Sequence, residues 1–95
     1  MRDYELTTVF SPEIAEEDFP DAIERVSQAI TKNGGEITEV NHWGRRKLAY
    51  PINRFVEGNY TLTRFKFDPD LAKELETSLY ASEEILRHLL VRLEE

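Results

Sequence analysis

The chain has 95 residues, 40% of them hydrophobic, with no cysteine, two histidines and a net charge of −7. This suffices for one domain, residues 1–95, around one small core, and it excludes disulfides and thiolate metal sites. With His42 and His88 alone no histidine-rich centre is expected, no metal and no cofactor are expected, and no apolar run approaches the roughly 18–20 residues of a membrane span.

Met1-Arg2-Asp3-Tyr4-Glu5 lacks the apolar core of a secretion signal, so a cytoplasmic protein is expected. Residues 2–10 alternate as a strand, with Tyr4, Leu6, Thr8 and Phe10 on one side, and Ser11-Pro12 breaks it. Phe19, Ile23, Val26 and Ile30 recur at helical spacing, so a helix is expected over about 18–33. Asp18 would be its N-cap and Pro20 fits its first turn; an earlier start would leave Pro20 to distort it. Asn33-Gly34-Gly35 ends it. Residues 36–53 read as a long strand with a bulge or bend at Gly44. Pro51 cannot donate to a ladder, so this strand is expected at a sheet edge. Glu57-Gly58-Asn59 is read as the hairpin turn, followed by a strand from Tyr60 to Phe67. Asp68-Pro69 opens a second helix carrying Leu71, Ala72, Leu75 and Leu79. Residues 85–93 form the last strand.

The order strand, helix, strand, strand, helix, strand is the ferredoxin-like βαββαβ arrangement. The expected class is α+β: a four-stranded antiparallel sheet, first and third strands central, with two helices on one face. If Thr63, Phe65 and Phe67 face the helices, Tyr60, Leu62, Arg64 and Lys66 face outward. Val9, Leu86 and Leu90 would join them, and an apolar patch rimmed by charge suits a docking protein.

Charge is unevenly distributed. Residues 1–41 carry three bases against ten acids, residues 42–67 six bases against one acid, and residues 68–95 three against eight. A phosphate senses local charge, because screening limits reach to about 8–10 Å. Arg45-Arg46-Lys47 follows the expected bulge, and guanidinium forks match phosphate oxygens. Trp43 and Tyr50 flank the run, either stacking on an unpaired base or packing over the sheet edge. The Gly and aromatic signature of RNA-recognition domains is missing from Gly58–Phe67, so base stacking on the middle of the sheet is not expected. No nucleophile elbow and no phosphate-binding Gly-Lys loop occurs, and no enzyme activity is expected. His88, between Arg87 and Leu89, is expected to be exposed and to touch phosphate or protein.

Three stretches carry a resemblance. They are Arg2-Asp3-Tyr4-Glu5, the run Trp43-Gly44-Arg45-Arg46-Lys47-Leu48-Ala49-Tyr50-Pro51-Ile52, and Leu75-Glu76 with Arg87-His88-Leu89-Leu90-Val91. Together they resemble the bacterial small ribosomal subunit protein six family over essentially the whole chain. The resemblance implies a structural component of the small subunit. It implies binding to the central domain of 16S ribosomal RNA as a heterodimer with ribosomal protein eighteen, on RNA first organised by ribosomal protein fifteen. The isolated chain is expected to be a monomer. The expected RNA contacts are Arg2, Arg45, Arg46, Lys47, Arg54, Arg87, His88 and Arg92. The expected partner contacts are Val9, Trp43, Tyr50, Tyr60, Leu62, Leu86 and Leu90. A small-molecule sensor or enzyme on the same fold is the competing reading, and a protein-binding module without RNA is a third; fold alone separates none of them.

Overall fold

Alternation of apolar residues on β1, Arg2–Phe10, drives Tyr4, Leu6 and Phe10 into the interior beneath two amphipathic helices. The computed structural model describes residues 1–93. The remaining elements are α1 (Phe19–Thr31), β2 (Glu36–Ile52), β3 (Phe55–Phe67), α2 (Ala72–Tyr80) and β4 (Ile85–Leu93). The strand order is β2-β3-β1-β4, antiparallel throughout, with β1 and β3 central and Pro51 on an edge strand as expected.

The helix-side core joins Tyr4, Leu6, Phe10, Phe65 and Phe67 to Phe19, Ala22, Val26 and Ile30 of α1 and Leu75 and Leu79 of α2. Phe10 meets Phe19 edge-on at 5.3 Å, and Tyr4 stacks on Phe65 at 5.8 Å. Side chains of this size contribute about 1.5–3 kcal/mol each on burial. Arg25 of α1 is bound by both oxygens of Glu84, at 3.1 and 2.5 Å, next to the start of β4. That hydrogen bond holds the guanidinium above its ordinary pKa.

Several local expectations need correction. Asp18 occupies the position before α1 but its side chain accepts no capping hydrogen bond, because a 3-10 turn, Glu16–Asp18, already leads into the helix. Asp68 does cap, accepting from the Asp70 N–H at 2.9 Å, but it opens a 3-10 turn, Pro69–Leu71, ahead of α2. The hairpin turn is not Glu57-Gly58-Asn59. It is Asn53-Arg54, with φ of 48° and 74°, closed by the Ile52–Phe55 pair. Positive φ at both central residues is the hairpin turn whose twist matches the strands. Gly58 lies inside β3 for a steric reason: a Cβ there would sit 2.5 Å from Val9 Cγ1.

The edge strand β2 is the irregular one. Its register shifts between Ile37 and Glu39, between His42 and Gly44, and between Lys47 and Ile52. Gly44, at φ +84°, makes the expected bulge. In the third irregularity the four residues Leu48–Pro51 stand against Val56 alone. Pro51, which has no N–H, therefore breaks no ladder bond.

Candidate nucleic-acid and partner interface

The sheet face turned from the helices is set by register. Tyr60, Leu62, Arg64 and Lys66 of β3 pair with Val9, Thr7, Glu5 and Asp3 of β1 and point outward. Arg64 is engaged within this face, bonded to Glu5 at 3.2 Å and 3.7 Å from Glu39. Its charge is answered by carboxylates of the protein itself, so not all of the basic excess of residues 42–67 is open to an outside anion.

The cationic residues gather where the β2–β3 hairpin leaves the sheet. The bulge at Gly44 throws out Trp43, 46% exposed, and the Arg46 guanidinium lies 5.7 Å from its ring centre. Arg45 donates from Nη2 to the Pro12 carbonyl at 3.0 Å, and its Nη1 is 3.7 Å from Glu57. Lys47 pairs across from Glu57 in the ladder, and Arg54 stands exposed in the turn. Arg87 of β4 donates to the Tyr50 hydroxyl at 2.5 Å. Among the described residues, Arg46, Lys47, Arg54 and Arg87 have no carboxylate within ion-pair distance. Five of the eight expected RNA contacts, Arg45, Arg46, Lys47, Arg54 and Arg87, thus lie along or against this hairpin, but on two faces. Arg46 pairs with Gly58 on the outward side. Arg45 pairs with Asn59 and lines a hollow with Phe19 on the helix side, and Lys47, opposite Glu57, follows Arg45.

The other three do not join them. Arg2 pairs with Phe67 and Arg92 with Tyr4, at the opposite end of the sheet and on the helix side. Eight residue steps along β1 separate Arg2 from Phe10, roughly 27 Å at about 3.3–3.4 Å per residue. His88 is not the exposed group expected. It lies opposite Thr8 on the helix side, with its side chain 4% exposed, 3.2 Å from Glu76 Oε1 and edge-on to Tyr80 at 4.6 Å. Adjacent strand residues face opposite ways, so basic sequence neighbours do not make His88 part of a basic surface.

The apolar outward set also changes. Leu90 pairs with Leu6 and packs against the helix-side core, so its expected outward direction is wrong. A one-residue bulge in β4 is responsible: Phe10 pairs with Ile85 and Val9 with Arg87, leaving half-buried Leu86 as the extra residue. Leu62 and Val9 do face outward, but at 5% and 4% exposure they present little surface. Leu48 approaches the same point, since both Val9 and Leu48 lie within 4 Å of where a Gly58 Cβ would be. The apolar groups open to a partner on this face are Leu89 at 56%, Val91 at 40% and Leu93 at 39%, with half-buried Tyr60. The alternation of β4 alone could have revealed them once the bulge was known. A shallow groove of about 180 Å³ is lined by Thr7, Val9, Tyr60, Arg87, His88 and Leu89, although the His88 ring itself packs against Glu76 and Tyr80. Among the described residues, no three His, Asp or Glu side chains are grouped to hold a metal ion.

The comparisons with known proteins agree on one family. A family model described as Ribosomal protein S6 matches residues 3–92. A small ribosomal subunit protein bS6 of Caldanaerobacter subterraneus subsp. tengcongensis is 43% identical, covering all of both chains. Another from Moorella thermoacetica is 40% identical over all of this chain and 97% of its own. The fold is similar to the crystal structure of 30S ribosomal protein S6 from Thermotoga maritima, with a TM-score of 0.92 and 35% identity over 97% of this chain and 87% of that one.

Proposed function

The chain belongs to the ribosomal protein S6 family of the small ribosomal subunit, and on that premise we propose that it binds the central domain of 16S ribosomal RNA together with ribosomal protein eighteen. Members of this family are structural parts of the ribosome, not enzymes. The work of such a protein is to hold surfaces in register, which requires a rigid sheet and a charged edge.

The observation that carries the RNA reading is the concentration of Arg45, Arg46, Lys47 and Arg54 along the β2–β3 hairpin, with Arg87 bonded to it through Tyr50, in a chain whose net charge is −7. Guanidinium groups grip phosphate oxygens in pairs, and Trp43 beside Arg46 offers a stacking plane. Arg2 and Arg92 supply a second, separate contact in this reading. The acidic remainder repels RNA at long range, so the chain alone binds weakly and a basic partner completes the charge. Ribosomal protein eighteen takes that role, on RNA first organised by ribosomal protein fifteen, and the chain is a monomer without its partner. The outward face, with Tyr60, Leu62, Val9 and Leu86 at its inner part and Leu89, Val91 and, at the β2 edge, Trp43 more open, receives the partner.

The test is the affinity of the two-protein complex for a central-domain transcript across a salt series. Each phosphate contact contributes roughly 0.7–0.9 to the logarithmic salt slope. Replacing Arg45, Arg46 and Lys47 by alanine is expected to flatten the slope by about one to three units, with circular dichroism unchanged. Arg46 and Lys47 should account for most of it, because Arg45 is already bonded to Pro12. An unchanged slope in the folded variant would overturn the assignment.

A further inference from the structure

We propose that Tyr50 and Arg87 form a latch that seats the tip of the β2–β3 hairpin across the end of the sheet, holding Arg54 of that tip in a fixed relation to Arg46 and Arg87 for one stretch of RNA backbone. Tyr50 is then a positioning residue rather than a docking one. The proposal rests on the RNA-binding reading above and deepens it by naming what sets the geometry of that site.

Strands β2 and β4 are opposite edges of the sheet. Three strand spacings separate them, about 14 Å. Yet Tyr50 of β2 accepts a hydrogen bond from Arg87 of β4 at 2.5 Å, and the Arg87 guanidinium lies 5.5 Å from the Tyr50 ring centre. The hairpin can reach because Leu48–Pro51 face only Val56, so this segment leaves the ladder. From Lys47, the last residue paired before the irregularity, to Tyr50 an extended chain covers about 10–11 Å, and the long Tyr50 and Arg87 side chains close the rest of the gap. Gly58 clears the crossing, since a side chain there would strike Val9 and touch Leu48. Leu48 is buried at 8% exposure while Tyr50 remains 55% exposed. The arm is thus seated at two points, an apolar one inside and a polar one outside.

The outer point is adjustable. An exposed cation–aromatic contact shifts an equilibrium by only about two- to five-fold. Arg87 has five N–H donors in all and spends one on Tyr50, so the rest stay available to an anion. With the arm seated, Arg54 in the turn is held on one rigid body with Arg87 and with Arg46, which is itself fixed in the ladder opposite Gly58. With it released, RNA binding must order the arm, which weakens affinity.

Amide hydrogen exchange on the protein alone tests the latch. Tyr50→Ala should speed exchange several-fold at residues 48–56, and Tyr50→Phe, which keeps the ring, should do so less. The complex with ribosomal protein eighteen, titrated with a central-domain transcript of 16S RNA, tests its consequence. Tyr50→Ala should bind about two- to five-fold more weakly with the salt slope unchanged, since no cation is lost. In an Arg87→Ala background the same substitution should cost nothing further. Unchanged exchange in Tyr50→Ala would overturn the latch. Faster exchange with unchanged affinity would overturn its role in binding. An additive loss in the Arg87→Ala background would show that Tyr50 touches RNA itself and overturn the positioning role. A wild-type complex that ignores the transcript would refute the RNA reading, while exchange still decides the latch.

Discussion

His88 of β4 and Glu76 of α2 are joined at 3.2 Å, so one imidazole, almost wholly shielded from solvent, ties the last strand to the second helix. The contact is supported by Tyr80, whose ring meets the imidazole edge-on. His88→Ala removes a packed ring and leaves the Glu76 carboxylate without this partner. The expected loss is about 1–3 kcal/mol, read as a drop in the urea midpoint. Salt slope for RNA should be unchanged in the folded variant. A changed slope with full stability would return His88 to the RNA surface.

Gly58→Ala is expected to destabilise the chain by about 1–3 kcal/mol through overpacking. The new methyl would lie 2.5 Å from Val9 Cγ1, and Val9 is both stiff and buried. Adding Val9→Ala should recover part of the loss, because it vacates the clash. Chemical denaturation of the two single variants and the double variant checks this; strictly additive losses would show that the two side chains do not compete for space.

Arg54 stands at φ 74°, a conformation that glycine adopts without strain. Arg54→Gly, giving the preferred Asn-Gly turn, should stabilise the fold by about 0.5–1 kcal/mol. The same change should weaken RNA binding and lower the salt slope by about 0.7–0.9. Higher stability with undiminished binding would remove Arg54 from the contact set.

Leu62 and Leu89 face the same side of the sheet but differ in accessibility, 5% against 56% exposed. Leu62→Asp buries a carboxylate and should cost several kcal/mol, of the order of 3–5. Leu89→Asp should change stability by about 0.5 kcal/mol or less and reduce affinity for ribosomal protein eighteen about tenfold or more. Calorimetric titration of the folded Leu89→Asp variant decides whether this face is the docking surface; wild-type affinity would exclude it.

Element order, the two central strands, the edge position of β2 and the bulge at Gly44 are all legible along the chain. These follow from short-range signals: alternation, helical spacing, and the missing N–H of Pro51. Local charge density also marks Arg45, Arg46 and Lys47. The hairpin turn was misplaced because Gly58 is a turn signal by composition, whereas its lack of a side chain here answers to Val9, 49 positions earlier in the chain. Simple alternation sends Leu90 and His88 to the wrong face, because one extra residue in β4, Leu86, decides their direction, and that insertion exists only in the pairing with β1. Arg64 looked like part of the basic block until Glu5 and Glu39 were brought beside it. The link between Tyr50 and Arg87 joins opposite edges of the sheet and has no trace along the chain. Local patterns fix what each segment becomes, while strand register, bulges and the sweep of the hairpin fix which side chains meet, because these depend on contacts between residues distant in sequence.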